Sequence, residues 1–164
     1  MKSIYIIRHA KSSWGDFTVA DFDRTLNERG LRDAPEMAKR LLHRKIVPDA
    51  FVSSPAKRAK KTCKIFCEAM DVDSSKIIFI EDLYHASIET YQKLISALSN
   101  DYKKVAIFSH NPGITDFANT LCKGVHIDNI PTCGIFAVEA DIKDWKDFLS
   151  AEKQFLFFDY PKAL

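Results

Sequence analysis

Residues 3–9 read Ser3-Ile4-Tyr5-Ile6-Ile7-Arg8-His9, and the rest of this 164-residue chain is best interpreted from them. The apolar part is β-branched and aromatic and too short for a globular helix, so it predicts a buried strand over residues 3–8. Arg8 and His9 follow at the point where a strand of an α/β sheet opens onto a ligand crevice. A histidine there can act as a nucleophile toward phosphate, and the remaining sequence can be tested against that idea.

Short apolar runs and segments of helical periodicity alternate along the rest of the chain. Strands are predicted at residues 50–52, 76–80, 105–108, 134–140 and 154–158. Helices are predicted from Asn27-Glu28 onwards, from the capping signature Ser53-Ser54-Pro55 to about Met70, and over 89–98 and about 112–122. This alternation predicts an α/β fold, a mostly parallel central sheet with helices on both faces, in a single domain over residues 1–164.

Composition excludes several classes of function. The net charge of +2 is too small to favour nucleic acid or an anionic membrane as partner, and no apolar stretch approaches the ~20 residues of a membrane span. The first apolar run is also too short for a signal peptide. The four cysteines form no Cys-x-x-Cys pair and no zinc-like pattern with histidine, which predicts free thiols, no metal and a cytoplasmic location.

A polar stretch without clear periodicity, residues 10–27, follows the first strand. It is long for a connection without secondary structure, and such loops are often functional. Its first part, Lys11-Ser12-Ser13, is polar and lies only a few positions after His9 in the sequence. Ser12 is therefore a candidate substrate-binding residue.

Three predicted strands end in residues suited to phosphate. The first ends in Arg8-His9, the second is followed by Arg58 in the first turn of its helix, and the fourth ends in Ser109-His110. If these ends lie side by side, two arginines and two histidines converge on one crevice. A guanidinium pairs with phosphate oxygens in a bidentate way, and the helix after Pro55 adds backbone N–H groups.

These residue types predict a specific chemistry. One ring nitrogen of a neutral His9 attacks phosphorus in line, and its other nitrogen donates to a backbone carbonyl. Arg8, Arg58 and His110 stabilise the equatorial oxygens, and water then hydrolyses the phosphohistidine. Because the cations are built into the chain, neither a metal nor a cofactor is expected.

The motifs resemble those of the histidine phosphatase superfamily, which has the phosphoglycerate mutase-like fold. Residues 8–14, RHAKSSW, resemble its Arg-His-Gly signature. Residues 54–62, SPAKRAKKT, resemble Ser-x-x-x-Arg-Ala-x-x-Thr, and residues 109–114, SHNPGI, resemble the motif around the second histidine. The Ala after His9 and residues 23–30, DRTLNERG, are most similar to the small SixA-like phosphohistidine phosphatases.

The resemblance implies roles for individual residues. His9 would be the nucleophile, Arg8, Arg58 and His110 would complete the catalytic phosphate pocket, and Ser54 and Thr62 would support it without touching substrate. The implied fold is a three-layer sandwich. The implied partner is a phosphorylated protein, such as a phosphotransfer domain of a signalling relay.

Two positions depart from the family pattern. Thr25 stands where branch members commonly have Pro, and Leu83-Tyr84-His85 stands where larger members carry a Leu-x-Glu acid. The candidate general acids are therefore His85, Glu81 and Asp82. An alkoxide leaving group needs such an acid, whereas the nitrogen of a phosphoramidate can be protonated before the bond breaks. The uncertain acid therefore favours a phosphohistidine substrate.

Two alternatives stay open from the sequence. The chain can be a small-molecule phosphomonoesterase with the same nucleophile. It can also be a binding module that keeps the phosphate pocket without turnover, although all four pocket residues are present.

Overall fold

The computed structural model describes residues 1–163, which form a six-stranded sheet with helices on both faces. The strands are β1 (Lys2–Arg8), β2 (Ala50–Ser53), β3 (Ile78–Phe79), β4 (Lys104–Ser109), β5 (Ile135–Ala140) and β6 (Gln154–Asp159). The α-helices are α1 (Glu28–His43), α2 (Lys57–Ala69), α3 (Ile88–Ser96) and α4 (Gly113–Ala118). Short 3-10 helices lie at Asp21–Asp23, Ser74–Lys76, Glu81–His85 and Trp145–Asp147.

The strand order across the sheet is β3-β2-β4-β1-β5-β6. The first four of these strands run parallel to one another, β5 is antiparallel to β1, and β6 is antiparallel to β5. The predicted α/β fold with a mostly parallel sheet is therefore confirmed. The carboxyl ends of β1, β2 and β4 lie next to one another at one edge of the sheet.

Each face of the sheet carries its own apolar core. Alternate residues of β1 point to opposite faces, so Ile4 belongs to one core and Tyr5 to the other. The core around Tyr5 contains buried residues of α1 and α2, including Phe66. The core around Ile4 contains buried residues of α3 and α4, including Phe117. Because both faces are covered, the sheet is the middle layer of three.

The helix start predicted at Ser53-Ser54-Pro55 is wrong. α2 begins at Lys57, and its N-cap residue is Ala56, which has no side chain able to cap. The Ser54 hydroxyl instead accepts a hydrogen bond from the Ala56 N–H at 3.2 Å and also contacts Nε2 of His110. Ser54 and Pro55 therefore lie in the connection between β2 and α2, ahead of the first turn of the helix.

Two further elements are shorter than the sequence predicts. β3 covers Ile78–Phe79 instead of residues 76–80, since Ser74–Lys76 forms a 3-10 turn. The Asp73 carboxylate begins that turn by accepting from the Ser75 N–H at 2.9 Å. α4 ends at Ala118, whereas the predicted helix extends to residue 122.

The single domain over residues 1–164 stays a prediction, and position 164 lies outside the described residues. Within residues 1–163, the helices lack the combination of length and apolar character needed to cross a membrane.

Candidate active site

The strand register brings the predicted site residues together. Arg8 lies opposite Ser109 in the β1–β4 pair, and Ser53 lies opposite Phe108 in the β2–β4 pair. The His9 N–H donates to the Ser109 carbonyl at 3.1 Å and so continues the alignment beyond the strand. Side chains at and beyond these ends line a common cavity of about 300 Å3, to which the 3-10 helix after β3 adds His85. The lining includes Arg8, His9, Ser12, Arg58, His85 and His110.

His9 is buried, with 6% of its surface exposed, and its ring is oriented by the backbone. Its Nδ1 lies 2.7 Å from the Ala10 carbonyl oxygen. Because a carbonyl only accepts, Nδ1 carries the proton and Nε2 keeps a free lone pair. Burial is the main cause that lowers the pKa of His9 to about 3, and the charges of Arg58 and Arg8 act in the same direction. The predicted backbone contact is thus present, and the ring is neutral near pH 7.

His110 lies beside His9, with 5.2 Å between the ring centroids. Its Nε2 is 2.7 Å from the hydroxyl of Ser54. Ser54 follows β2 and His110 follows β4, so the end of β2 positions the ring that follows β4. Burial and then the charge of Arg58 lower the pKa of His110 to about 3. The buried Nδ1 of this ring has no hydrogen-bond partner among the described residues.

Arg58 is buried, and a side chain one turn further along α2 contacts its backbone. The Thr62 hydroxyl donates to the Arg58 carbonyl at 2.7 Å and accepts from the Ala10 N–H at 2.9 Å. Thr62 therefore ties the first turn of α2 to the residue after His9, a supporting role of the kind that the family resemblance implies. Arg8 is held by one bond from Nη1 to the Ile130 carbonyl at 3.1 Å. The Nε atoms of both arginines are buried without a partner in the described part of the chain.

Asp21 is a cavity residue that the sequence reasoning missed. Arg58 donates to it twice, from Nη1 to its carbonyl at 2.6 Å and from Nη2 to its carboxylate at 3.1 Å. Tyr84 and Arg24 also donate to the carboxylate. The Tyr84 hydrogen bond is the largest cause that lowers the pKa of Asp21 to about 2, with Arg58 adding to it. The only local signal is the Asp21/Arg24 spacing of three residues, which is too common to identify a site.

Arg24 and Ser12 form a second contact inside the loop over the cavity. The Arg24 guanidinium donates to the Ser12 hydroxyl at 2.7 Å and lies 3.5 Å from the centroid of the Trp14 ring. Ser12 also forms an isolated antiparallel bridge with Leu26. The loop of residues 10–27 is thus folded back on itself, with Ser12 buried at the wall of the cavity.

The three candidate general acids are placed differently. His85 lines the cavity, and its ring lies 4.1 Å from the ring of Tyr84. Glu81 and Asp82 are exposed and lie outside the cavity lining, and Asp82 faces a separate groove. The structure therefore brings His85 to the cavity and leaves the two carboxylates away from it.

The antiparallel strand β5 closes the site on the far side of β1. Its amino end lies beside the carboxyl end of β1, so Thr132 lines the cavity. The Cys133 N–H donates to the carbonyls of Arg8 at 3.1 Å and His9 at 3.0 Å. Cys133 adopts a φ of 61°, a left-handed conformation that is unusual for a residue other than glycine. The two hydrogen bonds donated by the Cys133 N–H fix the backbone on both sides of the peptide bond between Arg8 and His9.

Metal-ligating side chains do not cluster in this structure. Within residues 1–163, no group of three or more His, Cys, Asp or Glu side chains is placed to hold a metal ion. The sequence-based expectation of a site without a metal stays a prediction.

Comparisons with known proteins give the family and the fold. The sequence model of the histidine phosphatase superfamily (branch 1) matches residues 4–113. An uncharacterised chloroplastic protein of Arabidopsis thaliana is 29% identical over 154 residues, which cover 89% of this chain and 70% of the relative.

Solved structures of similar fold include phosphatases with different named substrates. A protein assigned as the phosphohistidine phosphatase SixA of Agrobacterium tumefaciens is 27% identical, with a TM-score of 0.81 and 98% of both chains covered. The protein histidine phosphatase SixA in complex with tungstate gives 0.82 at 22% identity over 97% of both chains. A mycobacterial glucosyl-3-phosphoglycerate phosphatase gives 0.73 at 14% identity over 99% of both chains. These proteins have similar folds and different named substrates, so the fold alone does not identify the substrate of this chain.

Proposed function

The chain belongs to the histidine phosphatase superfamily, and from that premise we propose that it is a metal-independent phosphatase that removes phosphate from phosphohistidine in proteins. The observation that carries the proposal is the state of His9. Its Nδ1 is engaged by the Ala10 carbonyl, and burial keeps the ring neutral, so Nε2 is a free nucleophile.

The first step transfers the phosphoryl group to the enzyme. Nε2 of His9 forms a bond to phosphorus while the bond between phosphorus and the leaving nitrogen breaks. Arg8, Arg58 and His110 stabilise the charge on the equatorial oxygens, and both guanidiniums lie in the cavity wall. In the second step water attacks phosphorus, phosphate leaves, and the neutral ring of His9 is restored.

A nitrogen leaving group needs less help from the cavity than an alkoxide does. An imidazole nitrogen of the substrate can take its proton before the P–N bond breaks, so the reaction has less need of an acid than ester hydrolysis has. His85 is the candidate acid that lines the cavity, while Glu81 and Asp82 lie elsewhere. Trp14 lines the cavity with 67% of its surface exposed, and an exposed aromatic side chain at the cavity suits a macromolecular substrate.

The class of partner follows from this proposal. The proposed partner is a phosphorylated protein, such as a phosphotransfer domain. The cytoplasmic location expected from the free thiols stays a prediction, and the Arabidopsis thaliana relative is named as chloroplastic.

The decisive experiment compares substrates directly. The purified protein is given a phosphohistidine-bearing protein and a panel of phosphomonoesters, both in the presence of a chelator. We expect kcat/KM to be about 100-fold higher for phosphohistidine, because general acid catalysis typically supplies 10²–10⁴-fold to ester hydrolysis. A preference for the esters would overturn the proposed substrate class.

A second arm tests the intermediate. Rapid denaturation during turnover should trap acid-labile phosphate on the wild-type chain and none on His9→Ala, whose activity should fall by at least about 10³-fold. Activity that survives His9→Ala, without trapped phosphate, would show that the mechanism is wrong.

A small-molecule phosphomonoesterase is the second candidate, and the position of His85 is the observation in its favour. His85→Asn separates the two functions. If esters are the substrates, kcat for esters should fall by about 10²-fold or more while the rate on phosphoramidate stays unchanged.

A further inference from the structure

Four lysines of α2 form a basic stripe beside the cavity. Lys57, Lys60, Lys61 and Lys64 follow helical spacing, so they lie along the same side of the helix. Together with Leu26 and Leu31 they line a groove of about 390 Å3, which we call the lysine groove.

The charges of the lysine groove are largely unpaired. Among the described residues, no carboxylate lies within 4 Å of Lys60, Lys61 or Lys64. Lys57 has one weak pair, with Asp23 at 3.8 Å, and both side chains are about half exposed. The lysine groove therefore concentrates positive charge on one surface of a chain whose net charge is only +2.

The floor of the lysine groove is apolar. Leu31 lies on the outer side of α1 and is 47% exposed, and Leu26 forms the wall next to it. An apolar floor under a cationic rim fits a ligand with both carboxylates and aliphatic side chains. An amphipathic helix with acidic residues beside its apolar stripe has this chemistry.

The lysine groove is continuous with the proposed active site. Thr25 and Lys57 line both the lysine groove and a polar groove beside it, and Arg24 lines both that polar groove and the catalytic cavity. A protein bound along α2 would therefore present a neighbouring side chain to His9.

We propose that the lysine groove is the docking surface for an acidic amphipathic helix of the phosphoprotein substrate. This inference rests on the proposed function and adds the way in which the substrate is selected. Charge pairing along the rim would steer the partner and lower KM, whereas the phosphoryl transfer itself depends on the cavity residues. Nucleic acid is the less favoured occupant, because it would leave the leucine floor unused.

The test uses two helical peptides that each carry one phosphohistidine. The acidic peptide has glutamates flanking a leucine stripe, and its control has glutamine at the same positions. The enzyme variant is Lys60→Glu/Lys61→Glu/Lys64→Glu, with Lys57 unchanged because it adjoins Arg58. The matched control is Lys103→Glu/Lys143→Glu/Lys146→Glu, which changes three exposed lysines away from the groove lining.

We expect the groove variant to raise KM for the acidic peptide about tenfold or more at low salt with kcat unchanged, equivalent to about 1.4 kcal/mol. The control variant should match the wild type, the glutamine peptide should respond little, and turnover of phosphoramidate should stay the same. An unchanged KM, or an equal rise in the control variant, would overturn the docking proposal. So would inhibition by polyuridylate that is stronger than inhibition by the non-phosphorylated acidic peptide.

Failure of docking and failure of the proposed function give different results. If the chain is not a phosphohistidine phosphatase, neither peptide nor phosphoramidate is hydrolysed and His9 carries no phosphate. Docking is then read by fluorescence anisotropy of the non-phosphorylated acidic peptide. Binding that is lost only in the groove variant supports the docking surface, and binding that is equal in all three proteins refutes it.

Discussion

The imidazole of His9 is kept uncharged by its surroundings rather than by the solution pH. Burial outweighs the hydrogen bond to the Ala10 carbonyl, which by itself would favour the charged ring. His110 is in a similar state, so two neutral histidines share the cavity with two arginines. Positive charge at this site therefore comes from guanidinium groups, while the nucleophile keeps its lone pair.

We expect the ring signals of His9 and His110 to keep their chemical shifts between pH 5 and 8. The pKa values of both rings lie at about 3, well below this interval. NMR titration checks this, with the variants His9→Gln and His110→Gln used to assign the signals. A midpoint near 6.5, the ordinary value for histidine, would contradict the effect of burial.

Arg58→Lys tests whether two-point contact matters at the phosphate site. The guanidinium presents a fixed fork of donors, which here contacts Asp21 at two points and which a lysine ammonium cannot reproduce on a carboxylate or on a phosphate. We expect kcat/KM to fall roughly 10- to 100-fold, since one hydrogen bond to a charged group contributes about 1.5–3 kcal/mol. Lys64→Arg, an exchange of the same two residue types on the same helix, should change little. Unchanged kinetics in Arg58→Lys would show that Arg58 does not bind the phosphate.

At the scale of elements, the start of α4 lies close to the backbone of Ala86, the residue that follows the 3-10 helix Glu81–His85. A Cβ at Gly113 would lie 2.4 Å from the Ala86 carbonyl oxygen and 3.3 Å from the Tyr91 ring. Glycine is needed there because another backbone segment passes too close for a side chain. The approach matters because that 3-10 helix carries Tyr84 and His85 to the cavity.

Gly113→Ala should therefore lower both stability and activity. We expect the free energy of unfolding in urea to fall by about 1–3 kcal/mol, the usual effect of overpacking, and kcat/KM to fall with it. Gly15→Ala is the control, since no described atom lies within 4 Å of a Cβ at that position. Equal stability of the two variants would show that the Ala86 backbone moves aside without cost.

The functional residues at the strand ends could be predicted from the sequence, whereas their contacts with distant parts of the chain could not. Arg8 ends β1, His110 follows β4, and Arg58 lies in the first turn of the helix after β2, so a local pattern identifies each of them. By contrast, Asp21 reaches Arg58 across 37 positions and Tyr84 across 63. Such contacts depend on how a non-periodic loop folds over the sheet, which local periodicity does not encode.

The direction of β5 was also beyond the sequence pattern. An alternating apolar segment predicts a strand equally well in either direction, so the role of Cys133 at the His9 backbone could not be anticipated. The general acid shows the same limit. Three candidates lie within five positions in the sequence, and the 3-10 helix turns only His85 toward the cavity.

For the whole molecule, the two neutral histidines make stability depend on pH. Their folded-state pKa values of about 3 lie below the unfolded value near 6.5, so the unfolded chain binds more protons between these limits. Above pH 6.5 neither state is protonated at these rings and no penalty arises. As the pH falls below 6.5, each ring favours unfolding.

We therefore expect the free energy of unfolding to fall between pH 6.5 and pH 5, by up to about 1.4 kcal/mol per pH unit for each ring. Urea denaturation at several pH values measures the slope. The double variant His9→Gln/His110→Gln should show a shallower slope over the same interval. Identical slopes in the two proteins would show that these rings do not account for the dependence.

The four free cysteines are buried, and they are divided between the two faces of the sheet. Cys63, Cys67 and Cys133 belong to the core under α1 and α2, whereas Cys122 belongs to the core under α3 and α4. A buried thiol reacts with an alkylating reagent only when its surroundings open. The rate at which maleimide modifies each cysteine, followed by mass spectrometry, therefore reports the opening of each face separately, without any engineered label. The rate of modification of Cys133 reports the opening of the structure next to the backbone of His9.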